Sequence, residues 1–455
     1  MAKPRKSPSP LARLIGRVIN TVLLVLLFAF ATWRITLFFV IRSQIAAIRA
    51  AGLPASPAEL AAWLPQIPDT QNGALLLTRA CTNLHDYKDR SHALKELTDI
   101  NRRDVWSAEL REAAERYVHT NKQALVEIEA ALRLPEFRFP VDHTYGLQTE
   151  LPHLAWVKRS AVLFQLEAMQ ESIDHDAAWT NSLLLQTRLA ITLDSDPYLI
   201  SYLVRSSIIR LAAQSAEYSL NHAAPDLAAC RPLQNAFWAF TQTNLLPQAF
   251  ITERAATIPY FRMSRSEFEA HSADETGEVR PRTRPSGKEF LPNYIHGFFE
   301  RDLSFYLRAM ERFINASKSN IPYALSQELA AAARSAHRGK YIFSEMMFSS
   351  YAKVENRELA TRAASLLAAT AFAIESYRLT RNEFPETLEA LKPEFLPEIP
   401  RDPFDGKPIR YRLLARGYLL YSVDADRKDD GGKEPPPKKK FNDPITYDIT
   451  FTVER

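Results

Sequence analysis

Four aspartates stand within one short segment near the carboxyl end, Ser422-Val423-Asp424-Ala425-Asp426-Arg427-Lys428-Asp429-Asp430-Gly431-Gly432. Carboxylates this close repel one another unless a cation or a proton neutralises them. Calcium takes about six to eight oxygens from carboxylates, carbonyls and water, so Asp424, Asp426, Asp429 and Asp430 are candidate ligands. Gly431-Gly432 lets the backbone turn sharply and aim carbonyls inward. The alternative is a solvated Asp-rich hairpin loop that holds no ion.

Other chemistry is thinner. His143, Glu150 and His153 are close in sequence, as are Asp174, His175 and Asp176. A zinc or general-base site needs three such groups to converge, and loop polarity and helix capping account for them more simply. Glu167 and Glu171 share a helix face and form an acid pair or, more simply, a solvated face. The chain contains no HExxH, GxSxG, GxGxxG or phosphate-binding Gly-Lys-Ser/Thr pattern. Cys81 and Cys230 are the only cysteines. They form either a disulfide, if the compartment is oxidising, or two buried thiols.

The acidic segment must be held by its neighbours. Leu359, Ala363, Leu366, Leu367, Thr370, Ile374 and Tyr377 recur at helical spacing, predicting an amphipathic helix that stops near Arg381, before Asn382 and Pro385. A short helix is expected from Pro385 to about Leu391. Five prolines from Pro393 to Pro408 then exclude any long one. Ile409, Tyr411 and Leu413 alternate with arginines, Tyr418 to Val423 follows a turn at Gly417, and Ile445, Tyr447, Ile449, Phe451 and Val453 share one face. This predicts a three-stranded antiparallel sheet packed on the helix.

The run "NEFPETLEAL", "LPEIPRDPFDGKPIRYR", "GYLLYSVDADRKDDGG" and a final strand resembles the C-terminal part of the major (G-type) pseudopilin of type II secretion systems. The likeness covers roughly the last fifth of the chain. It implies a calcium-binding loop, with Ser422, Asp426 and Asp430 on the ligand-bearing stretch and the Leu420 carbonyl as a further donor. The family usually has Gly where Asp424 and Arg427 stand. A Pro/Lys insert, Glu434 to Lys440, separates this loop from Asn442-Asp443. A pilin leader is missing too: at the offset from Gly16 where such proteins carry Glu, this chain has Thr21. The expectation is a grafted domain, not a fibre subunit.

The chain has 455 residues, enough for more than one domain. Only 12 glycines favour helix over β-rich structure, and a net charge of +4 without a basic stripe argues against a nucleic-acid partner. Residues 1–17 are a basic tail. Residues 18–41 are almost wholly apolar and long enough to span a bilayer. Basic residues are denser before this span than after it, which puts the tail in the cytoplasm and the remainder outside. Ala29-Phe30-Ala31 offers a signal-peptidase site, but the apolar run resumes at Ile35, as in a signal anchor. Residues 42–71 read as a linker with one short helix.

Residues 72–340 read as a helical domain. One long segment runs from Trp106 to Leu132, and three helices cover Leu154 to Ile173, Ala177 to Leu193 and Tyr198 to Leu220. A weaker helix starts at Leu227, and others cover Phe298 to Ile314 and Ala324 to Ala336. Turns at Asp174-His175-Asp176 and Asp194-Ser195-Asp196-Pro197 predict αα-hairpins. Residues 264–293 read as a long mobile loop. With "IPDTQNGALLL" and "DSDPYLI", this region is similar to uncharacterised membrane-anchored bacterial proteins, a likeness that implies no activity. The chain is therefore expected to be mainly α. It should have an N-terminal transmembrane helix, an αα-hairpin extracytoplasmic domain and a small α+β module over 341–455. The expected function is a non-catalytic, single-pass protein of a bacterial inner membrane with a periplasmic bulk. It would have a protein partner in the envelope, calcium in its C-terminal loop and an accessory role in secretion. No small-molecule substrate is identified. The other reading is a periplasmic hydrolase of unrecognised type.

Overall fold

The computed structural model describes residues 10–85, 102–262, 298–319, 323–434 and 447–455. The expected mobile loop, 264–293, lies outside the described residues, as do Ile445 and most of the Pro/Lys insert. Helix α1 (Pro10–Ala50) continues without a break through the apolar run. Helices α2 (Pro57–Trp63), α3 (Gly73–Thr82), α4 (Ala108–Thr120) and α5 (Lys122–Ala131) follow. The segment expected as one helix from Trp106 to Leu132 is two. The chain breaks at Asn121, whose buried side chain accepts from the His85 amide at 2.8 Å and donates to the Tyr117 carbonyl at 2.9 Å. Local side-chain bonding of this kind competes with the helix.

Helices α6 (Pro152–Ile173), α7 (Trp179–Ile191) and α8 (Leu199–His222) pack on one another across the two aspartate-rich turns, as the spacing predicts. Then come α9 (Leu227–Gln242), α10 (Leu246–Thr257), α11 (Phe298–Ser317), α12 (Ala324–Gly339), α13 (Ile342–Tyr351) and α14 (Val354–Arg381). Where a helix was expected after Pro385, only a 3-10 turn forms, at Leu388–Leu391.

Strands β1 (Arg410–Leu414), β2 (Gly417–Ser422) and β3 (Ile449–Glu454) make an antiparallel sheet in that order. In the central strand Leu420 faces Tyr411 on one side and Phe451 on the other. The lower part of the β3 edge is closed by α8. Glu217 accepts from the Thr452 amide at 2.7 Å, and Asn221 bonds the Thr452 carbonyl and the Glu454 amide, each at 2.7 Å. Arg455 donates to the carbonyls of Leu220 and Ala223, at the C-terminal end of α8, where a cation is favoured.

Among the described residues a small apolar cluster of Tyr323, Ala363, Phe404 and Val423 lies beside the acidic loop, and two larger cores form. One joins α3 to α9 with the middle of α14 and the sheet, so Ala74, Phe164, Phe237, Phe372 and Phe451 belong to a single cluster. The other joins the end of α1 (Ile41, Ile45, Ile48) to α10, α11, α12 and α13. Helix α14 was expected to bury one stripe, but its middle is buried on every side, Ser365 and Glu375 included, because α9, α8 and the sheet surround it. A helix so enclosed loses its polar face.

Candidate functional site

The acidic loop leaves the end of β2. Beneath it lies Asp402, a fully buried carboxylate from the "PRDPFDG" stretch that sequence reasoning left out of the site. Its Oδ1 accepts from the Ser422 hydroxyl and the Phe404 amide, both at 2.9 Å, and its Oδ2 accepts from the Val423 amide at 3.0 Å. The Arg410 guanidinium pairs with Asp402 and Asp405 and approaches Asp429 at 3.6 Å. Burial raises the Asp405 pKa, but hydrogen bonds from Arg410 and the Lys407 amide outweigh it and hold the carboxyl below its usual range.

Leu420 and Ser422 are buried within the sheet. Asp424 accepts from the Ala425 amide at 2.7 Å, Asp426 from Lys428 at 3.0 Å and Asp429 from Gly431 at 3.0 Å. The last two are local turns of the Asx type. Asp430 is exposed, and its amide bonds Asp448. Among the described residues no three His, Cys, Asp or Glu side chains gather as a metal site would. Asp424 and Arg427 adopt left-handed backbone angles, φ 54° and 59°, a conformation that favours glycine. The Arg427 guanidinium lies over the Tyr323 ring, 3.2 Å from its centroid.

Beside the loop opens a cleft of about 840 Å³, framed by α8, α14 and the start of β3. Its apolar surface comes from Leu203, Leu211, Leu367 and Phe451, and Gln214 and Thr361 add polar groups. Arg210 of α8 and Arg357 of α14 line it together with Asp424. Among the described residues neither guanidinium is ion-paired; the charges acting on Arg210 at longer range are Asp424 and Arg357. The Arg210 side chain reaches solvent through the mouth. Even so, desolvation by the walls holds its guanidinium below the usual arginine range, with Asp424 opposing and Arg357 adding to the effect. It remains a cation at neutral pH. Nearby Glu217 is pushed up to about 7 by burial, which outweighs the Thr452 amide and Arg102. Sequence reasoning missed this cleft, because its arginines stand on separate helices.

His143 and His153 each have a buried polar partner. His143 Nδ1 meets the Tyr198 hydroxyl at 3.0 Å, and Tyr198 donates to Thr149 at 3.1 Å. Burial lowers the His143 pKa. His153 Nε2 meets Asp196 Oδ2 at 2.5 Å, with its ring stacked on Phe139. The space that His143, Ser195 and Asp196 line is about 20 Å³, room for one water and no substrate. Asp174 pairs with Arg111, Asp176 accepts from the Ala178 amide, and His175 makes a turn at φ 55°. Glu167 and Glu171 do not form a solvated face. Both bond Ser182 of α7, and burial pushes Glu171 up to about 7. Cys81 and Cys230 are separate buried thiols, one beside Ser160 and the other on the Asp226 carbonyl, so no disulfide joins them.

Comparison of the chain with protein-family models, curated proteins and solved structures finds no match.

Proposed function

We propose that this protein is a non-catalytic, membrane-anchored binding protein whose cleft between α8, α14 and β3 takes an anionic segment of a protein partner. Helix α1 is long and apolar enough to cross a membrane. The proposed orientation is a cytoplasmic basic tail at a bacterial inner membrane with the body in the periplasm, supported by the charge bias around the span. The observation that carries the function is the pair of guanidiniums, Arg210 and Arg357, facing one half-apolar cleft without an ion-paired acid among the described residues. A partner carboxylate would meet two cations there, and apolar side chains beside it would meet Leu203 and Leu367. The test is a photo-crosslinking residue placed at Gln214 in cells. One protein adduct should form and should disappear in Arg210→Gln/Arg357→Gln. An adduct that survives the double change, or none at all, refutes the reading. A secretion-machine component as the adduct would support the accessory role.

Calcium in the acidic loop is a second proposal. It is supported by the left-handed backbone at Asp424 and Arg427, where pseudopilin loops usually carry glycine. An ion that binds only the folded chain raises its melting temperature by mass action. Millimolar calcium should therefore raise Tm of the full chain, and Asp426→Ala/Asp430→Ala should abolish the rise. A wild-type Tm indifferent to calcium removes the ion from the account.

A further inference from the structure

A second concave surface lies where α1 leaves its apolar stretch. It is an open groove of about 1060 Å³ between α1, the start of α11 and the turn at Ile258-Pro259. Leu37, Phe38, Ile41, Ile45 and Leu303 make its apolar wall. Three arginines of α1, Arg34, Arg42 and Arg49, line it at increasing height. Arg34 pairs with Glu300 at 2.9 Å and Arg49 with Glu59 at 2.8 Å, so each is neutralised. Arg42 is exposed and has no acid partner among the described residues. Among the described residues, the groove thus presents one cation without an acid partner beside its apolar wall.

We infer that this groove seats one acidic phospholipid, its phosphate on Arg42 and an acyl chain against Leu37 and Phe38. The inference rests on the anchor reading of α1. Residues 18–41 extend over about 36 Å at 1.5 Å per residue, enough to cross a hydrocarbon layer of about 30 Å with some tilt. Arg42 then stands at headgroup level, and Leu37 and Phe38 stand at acyl depth. Side-chain exposure agrees with this placement. Ile35, Phe38 and Phe39 are 58%, 58% and 61% exposed, which water disfavours and lipid does not. Ile41 and Ile45 on the same helix are buried against the body instead. The Arg34–Glu300 pair, neutral as a whole, sits at acyl depth without presenting net charge to the chain.

The experiment uses the full chain in nanodiscs of equal phosphatidylglycerol and phosphatidylcholine, released and weighed by native mass spectrometry. Wild type should carry phosphatidylglycerol in preference to phosphatidylcholine. Arg42→Gln should lower that occupancy about five-fold, from about 1 kcal/mol per basic residue near an anionic surface. Arg116→Gln, on the exposed face of α4, should leave it unchanged. No preference between the two lipids, or an Arg42→Gln chain that retains phosphatidylglycerol like wild type, overturns the lipid seat while leaving the anchor intact. A chain that never enters nanodiscs overturns both.

Discussion

Glu253 shows how a single buried side chain couples this body to pH. It lies in the core of α10, 8% exposed, accepting from the Leu199 amide at 3.3 Å and the Tyr351 hydroxyl at 3.4 Å. Burial pushes its pKa up to about 7, and those two hydrogen bonds offset only part of the rise. The folded chain therefore keeps a proton that the unfolded chain releases near 4.5. Stability from this group is complete below about pH 4.5 and is lost as pH rises towards 7. Glu253→Gln carries no such proton. Relative to wild type it should gain up to about 3 kcal/mol between pH 5 and pH 8, read from urea midpoints. Parallel curves for the two proteins would show that Glu253 is ionised in the fold. Nothing in the sequence around Glu253 marks it as buried, because the tyrosines that surround it come from α11 and α13. The same limit hid Asp402, whose partners Arg410 and Ser422 lie eight and twenty residues further along the chain.

The elements of the C-terminal sheet were legible because each signal is local. Tyr411 and Leu413 alternate with arginines in β1, Gly417 opens β2, and Phe451 and Val453 share the buried side of β3. Gly417 is the demanding position. At φ 140° its backbone passes so close to β3 that a Cβ would lie 1.9 Å from the Val453 carbonyl oxygen. Neither the torsion nor the contact tolerates a side chain without moving a strand. Gly417→Ala should cost about 2–4 kcal/mol, measured as a lower urea midpoint with an unchanged slope. A loss below about 0.5 kcal/mol would mean that β2 and β3 are not this close in solution. Helix α14 was less legible. Its apolar spacing gave the helix and its end at Arg381, but not that Glu375 and Ser365 would be enclosed, since enclosure depends on α8, α9 and the sheet all packing on it.

At the scale of the molecule, the C-terminal sheet and the helices before it share one core, and Arg455 links the last strand to both. Its guanidinium bonds the end of α8 and pairs with Glu375, a carboxylate with no exposed surface on α14. Removing it leaves that carboxylate with Arg378 as its ion partner among the described residues and strips two carbonyls of this donor. Charge-assisted bonds of this kind are worth about 1.5–3 kcal/mol, so Arg455→Ala should raise the population of the open body at least about tenfold. Two native reporters are available. Burial pushes the thiols of Cys81 on α3 and Cys230 on α9 up to about 11, and both react with a thiol reagent only when the body opens. Cys230 lies near Arg455 and Glu375, while Cys81 belongs to the apolar cluster and meets Ser160 of α6. If the cluster opens as one unit, Arg455→Ala accelerates modification of both thiols by the same factor. If the sheet and α14 open alone, Cys230 accelerates and Cys81 keeps its wild-type rate, and the single cooperative body is refuted.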